Sequence, residues 1–246
     1  MRVDIIRKHN MSEEYNSDSE IITNAEVFYL YALLVTYKDG YRCVFDISDG
    51  VSKYIIDQPF RDDPLFIYDF VVDPEGYKID WNIDYASDNI RECSVPFDDV
   101  LQYIKEQSIC RKNIIEREKL DPFAKEKERN RRKTHKESPF EADLLGKRLK
   151  QSILKIKVLA PSVLRLTYKD GYRCIFDLDE YVSHHHDLQC FPGIYSDVTL
   201  DSWGTNMICG GFKINAEDIR KLSIPMNDVI QWIGEETRRI KEEVRI

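Results

Sequence analysis

The chain says the same thing twice. "VTYKDGYRCVFDI", residues 35–47, returns as "LTYKDGYRCIFDL", residues 166–178, and the two differ only by the apolar exchanges Val35/Leu166, Val44/Ile175 and Ile47/Leu178. A second pair of blocks, "DNIRECSVPFDDVLQYI" (88–104) and "EDIRKLSIPMNDVIQWI" (217–233), follows in the same order. The first pair aligns at a shift of 131 positions and the second at 129, the change that a two-residue loop deletion leaves. Two copies of this length describe a duplicated domain, because a solenoid needs at least three stacked units of shorter period. The 246 residues divide into an N-terminal extension (1–19), a first repeat domain (20–108), a charged, largely helical linker (109–149) and a second repeat domain with a C-terminal helix (150–246).

Each copy reads alike. Leu164, Leu166 and Tyr168 alternate with Arg165 and Thr167, and Tyr172, Cys174, Phe176 and Leu178 alternate with Arg173, Ile175 and Asp177, the period-2 pattern of strands with one apolar face. Asp39-Gly40 and Asp170-Gly171 are the hairpin turns, since Asp-Gly accepts the positive φ such turns require. An upstream strand precedes each hairpin, near 22–30 and 153–159. A further β-rich pair follows, turning at Pro74-Glu75-Gly76 in one copy and at "SWGT" in the other. A short helix comes next, with Asn215 as its N-cap in the second copy. A longer helix ends each copy, opened by Pro96 or Pro225 and capped by Asp98 or Asn227. Val100, Leu101 and Ile104, and Val229, Ile230 and Ile233, form its apolar stripe. A one-faced sheet and a one-striped helix bury each other, so the expected class is α+β: two homologous two-layer domains, each a small antiparallel sheet against helices.

These residues resemble a known family. An apolar strand, "YKDG", a strand ending "FDI" or "FDL", a later "IDW", then "DNIR" or "EDIRKLSIP", is similar to the small bacterial domain of unknown function 2442. The late-strand tryptophan of that pattern matches Trp81; the aligned position of the second copy is Gly210, and Trp203 sits in a turn. The resemblance covers both halves but not residues 109–149. It implies an α+β fold with a curved antiparallel sheet, and no chemistry. Relatives in two-gene modules suggest an antitoxin-like role, which is an association and not a mechanism.

Composition removes several classes. No apolar run approaches the roughly twenty residues of a membrane span. "MRVDIIRKHNMSEEYNSDSE" lacks the apolar core of a secretory signal, so a cytoplasmic location is expected. The six cysteines include no C-x-x-C pair, and Cys43 and Cys174 fall on the apolar face of the hairpin, as small buried hydrophobes do. There is no G-x-S-x-G elbow, Walker loop, H-E-x-x-H or Gly-rich dinucleotide turn. Neither catalytic residue nor metal nor cofactor is expected. "HHHDLQC" (184–190) offers His186 and Cys190 at helical spacing for zinc, but adjacent histidines point apart, and a solvated loop or helix is the plainer reading.

Two surfaces remain. Tyr37, Tyr41, Tyr168 and Tyr172 flank the turns, and Arg42 and Asp46, like Arg173 and Asp177, lie four apart on one strand face; together they form a candidate protein-binding surface. Their plainer reading is structural: rings that cap the sheet edge, Asp that closes the strand, Arg that covers the exposed face. Residues 111–150 hold fourteen Lys or Arg against eight Asp or Glu, which leaves −14 on the rest of a chain whose net charge is −8. Arg129, Arg131, Arg132, Lys133 and Lys136 would contact nucleic acid or an acidic partner, or simply solvate a linker. No aromatics interleave them for base stacking. The expected function is non-enzymatic binding of another protein through the paired domains. A nucleic-acid-associated or antitoxin-like regulator is the alternative, and an enzyme with a site between the domains the third.

Overall fold

The computed structural model describes residues 18–29, 32–47, 70–80, 84–120, 151–185, 195 and 197–244. It parts into two compact units between Ser94 and Val95. The N-terminal unit holds β1 (Ile22–Tyr29), β2 (Ala32–Tyr37), β3 (Arg42–Asp46), β4 (Val71–Val72), β5 (Lys78–Asp80), β6 (Asp84–Ala86) and α1 (Ser87–Glu92). The C-terminal unit opens with β7 (Val95–Pro96) and α2 (Phe97–Leu120). It continues with β8 (Ile153–Ala160), β9 (Val163–Tyr168), β10 (Arg173–Asp177), α3 (Leu178–Ser183), β11 (Val198–Leu200), β12 (Asn206–Cys209), β13 (Phe212–Asn215), α4 (Ala216–Leu222), β14 (Ile224–Pro225) and α5 (Met226–Val244). Helices accompany small sheets whose strands pair antiparallel, so the class is α+β.

The repeat is visible strand by strand. β1, β2 and β3 are neighbours in that order, as are β8, β9 and β10. Val35 faces Cys43 across the first hairpin and Leu166 faces Cys174 across the second. β1 slips register between Ile22 and Asn24 and again between Val27 and Tyr29; β8 slips between Ile153 and Lys155 and between Val158 and Ala160, the same two places in the repeat. Gly40 (φ 86°) and Gly171 (φ 84°) make the turns in the left-handed region expected of Asp-Gly. The second sheet of each unit has three strands, β4-β5-β6 and β11-β12-β13, not the expected pair. The missed strand β13 follows Gly210-Gly211, both at positive φ, a dipeptide that marks a hairpin as firmly as Asp-Gly does. Trp81 lies outside the described residues.

In each unit a core cluster of described residues joins the two sheets. In the C-terminal unit Leu164, Leu166, Tyr168, Cys174 and Phe176 of the hairpin meet Met207, Cys209 and Ile214 of the smaller sheet and Ile219 of α4. Ile22, Val35, Cys43, Phe45, Ile79 and Ile90 do the same in the N-terminal unit. The opposite face of the large sheet is not simply wet: Ile175 on β10 is fully buried, and β10 is packed by α2, α4 and α5. β10 is thus covered on both faces where the alternation of the hairpin promises one. Pro96 and Pro225 occupy short bridging strands, and the long helices start one residue later, at Phe97 and Met226. Asp98 and Asn227 therefore sit in the first turn and are not the caps. Pro225 pairs with Cys174 as the edge of the sheet, where a residue without an N–H is tolerated.

The terminal helices bury the predicted stripe: Val100, Ile104, Val229 and Ile233 are at most 1% exposed. α2 runs on to Leu120, so the helix that ends the first repeat takes in the start of the charged segment. It packs within the C-terminal unit, on β10, β14, α3, α4 and α5. The stripe tells what must be buried; it does not tell which sheet will do the burying.

Candidate functional site

At each Asp-Gly turn the chain builds the same cluster. Arg220 of α4 reaches Asp170 at 2.6 Å and lays its guanidinium over the Tyr172 ring, 4.1 Å from the centroid. Arg91 of α1 reaches Asp39 at 2.8 Å and covers Tyr41 at 4.2 Å. The inner tyrosines are core: Tyr168 donates its hydroxyl to the Ala216 carbonyl and Tyr37 to that of Ser87, both at 2.8 Å. At 1% exposure Tyr37 and Tyr168 offer no contact area to a partner. Tyr41 and Tyr172 are half-buried beneath their arginines. Burial pushes the pKa of both inner phenols, Tyr37 and Tyr168, well above the ordinary tyrosine range. Arg91 and Arg220 are the residues that sequence reasoning missed. The signal was present, since "NIR" and "DIR" stand at the same place in both copies, but the partner lies 52 or 50 positions away.

The strand-borne aspartate of the second copy has a structural role. Asp177 is 7% exposed and caps α3, its Oδ1 accepting from the Asp179 and Glu180 backbone N–H groups at 3.0 and 3.3 Å. Arg173 is exposed, and Arg42 and Asp46 are of intermediate exposure. The register sets Arg173 beside Thr167, Thr167 beside Lys155, and Arg165 beside Lys157. Four cations thus share one face of β8–β10. The corresponding positions of the first copy are Asn24, Glu26, Leu34 and Arg42, so this concentration belongs to the second copy alone.

Between α2 and α3 lies a cleft of about 140 Å³. Ile115, Phe176, Tyr181 and Leu222 give it apolar walls, and Ser108, Lys112, Asp177 and Glu180 its polar groups. Lys112 Nζ stands 3.5 Å from Glu180 Oε1 and 3.7 Å from Glu116 Oε1. His184 Nε2 meets the same Glu180 oxygen at 3.0 Å, and His185 stacks on Tyr181 at 4.2 Å between centroids. Desolvation raises the Asp177 carboxyl above its ordinary range, against the two backbone hydrogen bonds that lower it. His186 and Cys190 lie outside the described residues; among the described ones no three His, Cys, Asp or Glu gather as a metal site. Burial pushes the Cys43, Cys174 and Cys209 thiols up to about 11, away from reactivity.

The turn between β11 and β12 holds Trp203 in solvent, 66% exposed. The turn is tightly tied. Asp201 accepts from the Thr205 N–H and hydroxyl and from Asn206 Nδ2, at 2.7 to 2.8 Å. Gly204 accepts from Ile153 N at 2.7 Å, fixing the turn to the start of β8, and Lys169 Nζ donates to the Trp203 carbonyl at 3.1 Å. Leu154, next along β8, is 62% exposed. Arg129, Arg131, Arg132, Lys133 and Lys136 lie outside the described residues. Among the described residues no helix is long and apolar enough to cross a membrane.

Comparison with protein-family models, with curated proteins and with solved structures finds no match.

Proposed function

We propose that the protein is a non-enzymatic binding module for another protein, with its contact surface on the C-terminal unit around Trp203. The observation that carries this is the exposed indole on a turn fixed at both ends. A large apolar side chain left in water gains nothing for the fold, and an aromatic held rigid binds with little further loss of conformational freedom. Lys155, Lys157, Arg165 and Arg173, gathered by register on the sheet that adjoins the turn, favour an acidic partner. The Arg–Asp–Tyr clusters and the Asp177 cap are engaged within the fold, which supports a binder over a catalyst. In the same reading the repeats are copies of the bacterial domain they resemble, in a cytoplasmic protein.

The test is affinity capture from the native host with the wild type and with Trp203→Ser. A specific partner that is lost at least about tenfold with the variant, as truncation of a hot-spot aromatic requires, supports the reading; an unchanged set of partners sinks it. Association with nucleic acid through residues 125–136 is separated by changing Arg129, Arg131, Arg132, Lys133 and Lys136 to Gln. Phosphate contacts predict binding that falls steeply with salt and is lost in that variant, whereas capture through Trp203 survives it.

A further inference from the structure

The cleft between α2 and α3 has two polar groups that its own walls leave with spare capacity. Ser108 is 6% exposed, lines the cleft, and its hydroxyl has no hydrogen-bond partner among the described residues. Asp177, 7% exposed, spends Oδ1 on the α3 cap, and its Oδ2 has none among them. Both side chains line the cleft, and a carboxylate oxygen and a hydroxyl can each accept from a donor placed there. A ligand that donates to both uses that capacity.

Shape and charge narrow its class. A cavity near 150 Å³ accepts a benzene-sized body, and this one, at about 140 Å³, is walled by Phe176, Ile115 and Leu222. Its titratable groups are one ammonium, Lys112, and the imidazoles of His184, which meets Glu180, and His185, which stacks on Tyr181, against the carboxylates of Glu116, Asp177 and Glu180. Lys112 already stands between Glu180 and Glu116, so it does not neutralise Asp177. An anion would meet three carboxylates, whereas a cation gains from Asp177 and from the ring faces beside it.

We propose that the cleft binds a small primary amine with a compact apolar body, its ammonium donating to Asp177 Oδ2 and Ser108 Oγ and its body resting between Phe176, Ile115 and Leu222. This site is independent of the surface around Trp203, and either can fail without the other.

Benzylamine, benzyl alcohol and benzoate are titrated against the intact protein at pH 7, with chemical shifts of the cleft's aromatic residues as the readout. Benzylamine should saturate and bind at least about tenfold more tightly than benzyl alcohol, and benzoate should not saturate, as a charge-assisted contact in a buried site requires. Asp177→Asn, which keeps a capping oxygen, should abolish the amine's advantage over the alcohol. Ser108→Ala should weaken benzylamine several-fold. Ile115→Trp, which fills the cleft from α2, should remove all binding and serves if the Asp177 variant misfolds. Failure of benzylamine to saturate, equal affinity for the alcohol, binding of benzoate, or benzylamine affinity unchanged in Asp177→Asn or Ile115→Trp would each overturn the proposal.

Discussion

Tyr103 of α2 stacks on Trp232 of α5, ring centroids 4.4 Å apart and planes within 7°. The two residues hold the same place in the repeated sequence, "VLQYI" and "VIQWI". Contact between a residue and its own counterpart is the kind that a local two-fold axis produces, and here it joins the two terminal helices. Their surfaces agree: Gln102 bonds Glu106 on one, and Gln231 bonds Glu235, the same positions, on the other.

If the stack couples the helices, Tyr103→Ala and Trp232→Ala must not be additive. A stacked aromatic pair contributes about 0.5–1.5 kcal/mol beyond the area it buries. The double-mutant cycle, read from urea unfolding, should give a coupling of about 1 kcal/mol. A coupling within error of zero would reduce the stack to two rings that merely adjoin.

The glycines of the turns differ in what they protect. Gly171 has φ 84° and open space where a Cβ would go, whereas a Cβ on Gly204 (φ 70°) would stand 2.1 Å from the Ile153 carbonyl oxygen. Gly171→Ala should cost about 1 kcal/mol, the backbone strain alone. Gly204→Ala should cost more than about 3 kcal/mol, because the turn must leave β8 as well as bear the strain. Thermal unfolding of both variants decides it, and near-equal losses would show that the Gly204–Ile153 contact is soft.

What the sequence shows and what it hides divide along a physical line. Alternation and Asp-Gly locate both hairpins, and the stripe of Val100, Ile104, Val229 and Ile233 identifies the buried side of each long helix. These are local patterns, and local patterns survive the loss of the fold. β13 is harder to see, because it is short and is set off from β12 only by the Gly210-Gly211 turn. The partners of Asp39 and Asp170 went unread because an arginine far along the chain offers no local clue to its contact. Ser108 and Lys112 look like ordinary residues of a charged helix until α3 is laid against them. "SWGT" places Trp203 in a turn, but the turn is held by Asp201, Thr205 and Asn206, and no pattern of apolar residues contains that.

Buried hydroxyls at one repeated position give a prediction of the opposite sign to most substitutions. Thr237, 2% exposed, has a buried Oγ1 without a partner among the described residues, and it stands in α5 where Ser108 stands in α2. Thr237→Val replaces the hydroxyl by a methyl of the same shape and should stabilise the protein by about 1 kcal/mol. Destabilisation in urea would mean that water or the rest of the chain satisfies the group.

Asp177 separates capping from charge. Its folded-state pKa is raised, chiefly by desolvation and, more weakly, by Asp179 and Glu180; Lys112 and Glu116 of α2 face the same cleft. A carboxyl bound more tightly to its proton in the folded state loses stability as pH rises from below its unfolded value through its folded one. Asp177→Asn keeps a capping oxygen and sheds the charge, so at pH 7 it should be at least as stable as the wild type. Asp177→Ala should lose about 1 kcal/mol with the cap. Equal losses in the two variants would show that the charge, not the cap, holds α3.

Asp201 should behave in the opposite way. Desolvation acts to raise its carboxyl, but hydrogen bonds from Asn206 and Thr205 outweigh it and bring the group down to about 2, below the roughly 3.9 of an unfolded aspartate. A depressed carboxyl stabilises the fold above its unfolded value, and that stabilisation disappears as pH falls through the folded one. Between pH 4 and pH 2, then, the Trp203 turn loses its anchor while the neutral parts of the fold are untouched. Asp201→Ala removes the same bonds at every pH. Its deficit in urea stability should be full at pH 7, shrink as pH falls below 4 and be least near pH 2. Fluorescence quenching should report a more mobile Trp203 in the variant at pH 7. A deficit that stayed constant from pH 7 to pH 2 would mean that the carboxylate's charge contributes nothing to the turn, and that its shape alone holds the indole in place.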